Sequence, residues 1–449
     1  MIGMRGWRAL EWVGVLVLGV LAIVALGYGV RTALRDSADL DRRATEVRLF
    51  RARLDPYDVL DMTYPPTALP IFAATVPTGS TTVRRVMWIV LNLAATAVIG
   101  WVVVRTWGRA WPLPVRLAFV LIVAACKPTR AGMALGQFHL IPMALILAAE
   151  AVAAKRAGLS GVFAGLSLAK PTMSVPYLFV MVARGRWRAL GVAIGLQVAL
   201  LAGVSGWLMI DPATLIREWV RNARSQLAYG TIDVPSLLGR AVPSLAGSTP
   251  IATITILAAS IALITFLRDR SALGLTSLAT FAAAVMTYHR HYDLVLLLPT
   301  LAYLIDRGCR GRRCAGWAAA LFGALLILPS DRRVVGATAE AVYDFVFLVS
   351  CYALLGLLVR ELAAERGGCN ATTQGHISRL DVAESEANDL GFARIDVQAI
   401  SRRHLRASLR RIQRLMLAVD DIVVDAVLDV GVAVRHAEDA LGVGVVLRE

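Results

Sequence analysis

Three groups of polar side chains stand out from a mostly apolar sequence, and the first of them is acidic. The segment RDSADLDRR, residues 35–43, supplies Asp36, Asp39 and Asp41 directly after a long apolar run. An aspartate at a helix end near a lipid boundary could act as a general base toward a substrate hydroxyl, a role typically worth ~10²–10⁴-fold in rate. The alternative is a solvated loop in which neighbouring arginines balance these acids.

The second and third groups combine cations with histidines. The second is KPTRAGMALGQFHL, which contains Lys127, Arg130, Gln137 and His139. The third is AVMTYHRHYD, which contains His289, Arg290, His291 and Asp293. Arginine and histidine can hold a phosphate through charge-assisted hydrogen bonds. The alternative for His139 is a packed histidine that faces another helix, and the alternative for YHRHYD is a simple connector.

Metal or cofactor chemistry has little support in the sequence. The five cysteines form no C-x-x-C pair and no metal-ligand spacing with histidines. His289 and His291 could begin a metal site, but Asp293 is the only carboxylate at a suitable spacing. We therefore expect no metal site, no cofactor and no structural disulfide.

The elements that carry these groups are predicted to be membrane-spanning helices. Hydrophobic residues make up 57% of the 449 positions and charged residues only 18%, a balance far from that of a soluble protein. Long apolar runs recur along most of the chain, beginning at residues 12–30, and such runs indicate transmembrane helices. The predicted fold class is an all-α polytopic membrane protein with about 10–12 spans, of which the first is uncleaved.

The net charge of +15 is explained by topology and not by nucleic-acid binding. The arginines lie mainly in short clusters between apolar runs, as the positive-inside rule expects of cytoplasmic loops. That rule places residues 31–85 outside, as a long first exterior loop. We therefore expect a multi-pass plasma-membrane protein whose polar groups lie on the exterior side, with lipids and no nucleic acid as partners.

The apolar run at residues 158–183 has a basic cluster at each end and Lys170-Pro171 in its middle. Each half is about 13 residues, or ~20 Å of helix, whereas the hydrocarbon core is ~30 Å thick. A bent or re-entrant hairpin with Lys170 at its tip satisfies both the length and the charges.

Two polar segments lie outside the main spans. The loop after residue 210 predicts an interfacial helix with Leu215, Trp219 and Leu227 turned toward lipid. After about Ala363 the composition changes, so residues 1–363 are predicted to be a transmembrane domain and residues 364–449 a poorly ordered cytoplasmic tail. Leu405, Leu409, Ile412 and Leu415 give this tail a basic amphipathic helix.

Several motifs, in this order and spacing, resemble glycosyltransferase family 87 of the GT-C superfamily, the DUF2029-type proteins of the actinobacterial cell envelope. The resemblance covers roughly residues 10–360 and excludes the tail. The motifs are Asp39-Leu40, Pro56-Tyr57, Tyr64-Pro65-Pro66, the GQ-x-[NH]-L of residues 136–140, the G-x-x-x-G-L-x-x-x-K-P that ends at Lys170-Pro171, and an R-x-R-W-R-A-L loop.

The resemblance implies a GT-C-type fold and the transfer of one sugar from a polyprenyl-phosphate donor to a lipid-linked or cell-wall glycan. Activities known in the family are α-1,2-mannosyl transfer and arabinofuranosyl transfer. The family's catalytic acid in the first exterior loop corresponds to Asp39, with Asp41 as the nearby competitor. This chain departs from the common pattern D-L-x-V-Y, because Arg42 and Arg43 stand where Val and Tyr are usual.

The chemistry implied is direct displacement at the anomeric carbon, with Asp39 as base. His289, Arg290 or His291, assisted by Lys170, would stabilise the departing phosphate. Gln137 and His139 would contact sugar hydroxyls. The segment DPYDVLDMTYPP, residues 55–66, would form the wall of the acceptor groove, since its prolines favour extended or turn backbone; it would offer Tyr64 and Asp58 to the substrate, with Asp61 as a further candidate.

Two other functions remain open at this point. A transporter or flippase for an envelope lipid would explain polar residues in the membrane, but it predicts repeat symmetry, and the sequence shows no convincing repeat. A non-enzymatic membrane scaffold predicts that charge substitutions in YHRHYD are tolerated.

Overall fold

The part of the chain that the computed structural model describes is residues 4–224, 249–286, 291–328 and 346–365, and it is helical with no strand. These residues belong to one unit, Met1–Gly368. The predicted tail and its amphipathic helix lie outside the described residues, so the domain boundary near residue 363 stays a prediction.

The helices of the first half alternate between long apolar rods and short connecting segments. In chain order they are α1 (Met4–Arg35), α2 (Ala38–Arg51), α3 (Pro56–Leu60), α4 (Ala68–Thr75), α5 (Thr81–Thr106), α6 (Leu113–Ala125), α7 (Lys127–Leu135), α8 (Leu140–Val152), α9 (Ala157–Ser167), α10 (Pro171–Ala183), α11 (Trp187–Leu208) and α12 (Pro212–Arg224). The second half contains α13 (Thr249–Phe266), α14 (Ala272–Met286), a 3₁₀ helix (His291–Leu297), α15 (Leu298–Cys309), α16 (Arg313–Ile327) and α17 (Val346–Glu365).

Five of the described helical segments are long and apolar enough to cross a membrane. They are Leu10–Arg35, Thr81–Thr106, Leu113–Leu135, Trp187–Leu208 and Val346–Glu365. Their outer surfaces expose large apolar side chains such as Ile23 (74%) and Trp101 (65%), which suit contact with lipid. Six shorter apolar helices of 10–17 residues accompany them. The predicted all-α polytopic membrane fold is confirmed.

The long loop between the first two spans is a folded layer and not a loose connector. Helices α2, α3 and α4 pack on α5, α7 and α11 at one end of the bundle, here called the loop end. Their shared core contains Leu40, Tyr57, Phe72, Trp88 and Phe138. The opposite end, here called the basic end, carries the arginines that follow α10 and α15.

The DPYDVLDMTYPP segment begins with a short helix, which differs from the extended backbone expected around Pro56. Pro56 occupies the first position of α3, where its missing N–H costs nothing. The Asp55 carboxylate caps this helix by accepting the Tyr57 N–H at 2.8 Å. The Tyr57 hydroxyl then donates to the Tyr64 carbonyl at 2.8 Å, which fixes the return of the chain toward Pro65.

The expectation that Leu215 and Trp219 of α12 face lipid is wrong. Leu215 is fully buried in the core of the loop end, and the Trp219 indole donates to the Thr63 carbonyl at 3.0 Å. The Asn222 amide donates to the Tyr57 carbonyl at 3.0 Å. The apolar face of α12 therefore packs on the DPYDVLDMTYPP segment, because that segment offers both apolar surface and unpaired carbonyls. Leu227 lies outside the described residues.

The predicted hairpin is present, with its break at Lys170 between α9 and α10. Arg186, just after α10, makes a two-pronged ion pair with Glu150 near the end of α8, at 2.6 and 2.7 Å. Since α9 starts directly after α8, the α9–α10 pair returns to the end of the bundle that it left. Eleven and thirteen residues give ~16 and ~20 Å of helix, so Lys170 stops partway across a ~30 Å core.

Glycines of the G-x-x-x-G-L-x-x-x-K-P motif let α9 lie against α11. A Cβ at Gly161 would overlap the Ala189 carbonyl oxygen and lie 2.7 Å from the Val192 Cβ. The Gln197 amide reaches across to the Gly165 carbonyl at 2.7 Å. This close approach of the two backbones holds the hairpin that presents Lys170.

Gly161→Ala should lower the free energy of unfolding by about 1–3 kcal/mol, because the added methyl forces α9 away from α11. Gly158→Ala on the same helix is the control, since nothing lies within 4 Å of its Cβ position, and alanine should be neutral or stabilising there by up to ~1 kcal/mol. Thermal unfolding in detergent measures both. Equal melting temperatures for the two variants would contradict the close α9–α11 contact.

Candidate functional site

The acidic group and the GQFHL motif meet at the loop end. Helix α7 ends at Gly136, which has a φ of +78°, a conformation that favours glycine. A Cβ there would lie 2.5 Å from the Leu40 Cβ and 2.8 Å from the Leu40 nitrogen. This approach brings Gln137 beside the first turn of α2, where its side-chain amide donates to Asp39 Oδ2.

Asp39 is half-buried and keeps one carboxylate oxygen available. Gln137 occupies Oδ2, whereas Oδ1 accepts no hydrogen bond from the described residues. A carboxylate held at one oxygen and open at the other can accept a proton from a hydroxyl group placed against it. Asp39 is therefore a candidate general base.

Asp41 has a different environment. Its carboxylate accepts hydrogen bonds from Arg84 at 2.5 Å and Arg85 at 3.2 Å, both at the start of α5. Burial acts to raise the pKa of Asp41, but the hydrogen bonds and charges of Arg84 and Arg85 outweigh it and lower the pKa below the ordinary 3.8. Asp41 therefore fastens α2 to α5.

Lys170, at the tip of the α9–α10 hairpin, pairs with Asp293 of the AVMTYHRHYD segment. The Lys170 ammonium donates to Asp293 Oδ1 and lies 5.2 Å from the centre of the Tyr292 ring. Asp293 is buried at the start of the 3₁₀ helix, and His291 is half-buried beside it. His289 and Arg290, the other predicted phosphate ligands, lie outside the described residues.

Tyr64 lies between the two halves of the site. Its hydroxyl is 3.5 Å from Gln137 Oε1. Burial raises the pKa of Tyr64; among the nearby charges Lys170 and Arg43 lower it, whereas Asp293 and Asp39 raise it. Leu40 of α2 and Ala169, the residue before Lys170, belong to the same buried core, and Tyr64 packs against it. The helix that carries Asp39 and the hairpin tip that carries Lys170 therefore pack on one core at the loop end.

Arg43 and Glu46 form a buried ion pair against the Tyr64 ring, and the sequence analysis did not identify them. The Arg43 guanidinium lies 4.7 Å from the centre of the Tyr64 ring and 2.6 Å from the Glu46 carboxylate. Both side chains are almost fully buried. Their i,i+3 spacing on a helix was the signal available, since opposite charges at that spacing meet on one face.

His139 is placed behind the site. The imidazole is fully buried, its Nε2 pairs with the Pro128 carbonyl at 3.1 Å, and its ring centre lies 5.6 Å from that of Tyr292. A Cβ at Gly132 would overlap the ring, so this glycine makes room for the histidine. In this conformation His139 packs α7 against the 3₁₀ helix.

Asp58 lies at the edge of the site, exposed on α3 together with Asp61 at its end. Both side chains face solvent, and neither makes a hydrogen bond or an ion pair with Asp39 or Lys170. Among the described residues no group of three or more His, Cys, Asp or Glu side chains is placed to hold a metal ion.

A carboxylate and a cation at one site of a multi-pass helical protein fit a membrane enzyme that transfers a group between polar substrates. The model of glycosyltransferase family 87 matches residues 62–329, which is more than half of the chain. The protein belongs to glycosyltransferase family 87, and it is a membrane glycosyltransferase. No curated protein and no solved structure shows a significant match.

Gly136→Ala should lower sugar transfer by about 10²-fold, because the clash with Leu40 moves Gln137 away from Asp39 and misplaced catalytic groups cost about that much. Gly311→Ala is the matched control: Gly311 also has a positive φ, of +88°, but nothing lies within 4 Å of its Cβ position. Both variants bear similar backbone strain, about 1–2 kcal/mol. Transfer assays with equal amounts of folded protein should separate them; parallel losses in both would attribute the effect to strain alone.

Asp41→Asn should lower the free energy of unfolding by about 1 kcal/mol at neutral pH while leaving transfer largely intact, since it breaks two partly exposed ion pairs. Because the native pKa of Asp41 is lowered, its contribution is present above the ordinary value of 3.8 and is lost as pH falls through the native value. Unfolding measured from pH 7 downward should show the full difference between wild type and variant at pH 7, and this difference should shrink only below pH 3.8. Loss of transfer with unchanged stability would instead mark Asp41 as the general base.

Proposed function

We propose that the protein transfers a single sugar, mannose, from a polyprenyl-phosphate donor to a hydroxyl of a cell-envelope glycan or glycolipid. The observation that supports this proposal is that α2, which carries Asp39 with one open carboxylate oxygen, and the hairpin tip, which carries the Lys170–Asp293 pair, pack on one core through Leu40 and Ala169. In this proposal the loop end faces the exterior of the plasma membrane, as the arginine-rich opposite end favours.

Asp39 acts as the general base on the acceptor hydroxyl. Gln137 holds Oδ2 through its amide, so Oδ1 points its lone pairs toward the incoming hydroxyl. The acceptor oxygen forms a bond to the anomeric carbon as the bond from that carbon to the phosphate oxygen breaks. The proton passes to Asp39 and the electron pair leaves with the polyprenyl phosphate.

Lys170 stabilises the leaving phosphate from the tip of the hairpin. It stands at the N-terminus of α10, a thirteen-residue helix whose first N–H groups and dipole favour an anion. Asp293 holds the ammonium in position through their ion pair, and a phosphate would share the lysine with it. His291, and the neighbouring His289 and Arg290, would supply further donors to the phosphate oxygens.

The sugar and the acceptor would contact the wall formed by the loop end. Tyr64 and Gln137 offer a hydroxyl and an amide beside Asp39. His139 supports this wall from behind Tyr292, and Asp58 lies at the exposed rim where an acceptor glycan would enter. These contacts suit mannose or arabinofuranose alike, so an arabinofuranosyl donor is the alternative substrate.

Asp39→Asn should lower transfer by ~10²–10⁴-fold, because the amide cannot accept the hydroxyl proton. Membranes that contain the variant are supplied with labelled polyprenyl-phosphate mannose or arabinose, and the labelled product is counted. Asp36→Asn is the control, since Asp36 is exposed on the same loop. Retained transfer in Asp39→Asn would overturn the role of Asp39, and product from arabinose alone would replace mannose as the sugar.

A further inference from the structure

An apolar groove lies on the side of the bundle and contains none of the residues of the proposed active site. It is lined by helices α1, α6, α15 and α16 and has a volume of about 570 Å³. Its walls include Leu21, Ile122, Ile305, Gly308, Gly316 and Gly323. Leu21, Ala320 and Ala324 along its length are exposed, so the groove opens toward the surrounding membrane.

The groove has the length of one leaflet. Its lining follows α16 from Gly316 to Leu328, a distance of ~18 Å along a helix. Half of the hydrocarbon core is ~15 Å. A hydrocarbon chain anchored at one membrane surface would therefore fill the groove from end to end.

One end of the groove is rich in exposed arginines. Gly308, Cys309 and Gly316 border the turn between α15 and α16, whose sequence is CRGRRC. Arg310 and Arg313 of this turn are exposed, and Asp306 is the one acidic partner that Arg310 contacts among the described residues. Trp317, one turn into α16, is 77% exposed, a position typical of an aromatic side chain at a membrane surface.

We propose that this groove binds one acyl chain of an anionic phospholipid from the leaflet at the basic end, with the phosphate headgroup on Arg310 and Arg313. Basic pockets between transmembrane helices at such a surface suit anionic headgroups. The small residues of the groove leave room for the chain, and the arginines distinguish an anionic from a zwitterionic headgroup. The bound lipid fills the space between α1 and α16 that the protein leaves open.

The test is native mass spectrometry of the full-length protein in nanodiscs of phosphatidylcholine in which about one lipid in five is phosphatidylglycerol. The lipids that stay bound when the protein is released from the nanodisc are counted. Ala320→Phe with Ala324→Phe fills the groove, and Arg310→Gln with Arg313→Gln removes the headgroup site. Leu321→Phe is the control for the first pair, since Leu321 is exposed on α16 but does not line the groove. Arg268→Gln controls the second pair, as an exposed arginine elsewhere.

Wild type and both controls should retain phosphatidylglycerol. In each double variant the amount that stays bound should fall at least ~10-fold, which corresponds to ~1.4 kcal/mol of binding free energy. Retention unchanged in the groove-filling variant would overturn the proposal. Equal retention of phosphatidylcholine by wild type would also overturn it, as would a dimer that the groove-filling variant dissociates, because a second copy of the chain would then be the occupant.

Discussion

The ion pair between Lys170 and Asp293 is the interaction on which the site depends. Lys170 lies between the end of α9 and the start of α10, partway across the membrane. An unpaired charge is costly at that depth. Asp293 comes from a distant segment of the chain, so the pair ties the α9–α10 hairpin to the 3₁₀ helix. Removing one member of such a pair takes a direct partner away from a charge that is largely buried, which is costly. The hairpin and the 3₁₀ helix therefore take their places together.

The loop end supplies the second half of the site and is held by its own charges. Asp41 joins α2 to the start of α5, and the buried Arg43–Glu46 pair supports the ring of Tyr64. Gly136 then allows α7 to end against Leu40, so that Gln137 reaches Asp39. The two aspartates of one helical turn thus do different work: Asp41 fixes the layer, and Asp39 stays open at one oxygen.

Much of this arrangement could be predicted from the sequence. Apolar length and charge were enough to predict the all-α membrane fold and the hairpin with Lys170 at its tip, because both follow from the thickness of the bilayer. The packing of α12 was not predictable, because an apolar helix face has the same sequence pattern whether it contacts lipid or protein. The Asp41–Arg84 pair and the place of His139 were also out of reach, because they depend on contacts between residues far apart in the chain.

The most direct test of the account is an experimental structure of the protein with a polyprenyl-phosphonate sugar, an analogue whose bond to the sugar cannot break. The account predicts that the phosphonate contacts Lys170 and displaces part of its pairing with Asp293, with the anomeric carbon facing Asp39 Oδ1. An analogue bound away from Lys170, or with its anomeric carbon facing another carboxylate, would contradict it.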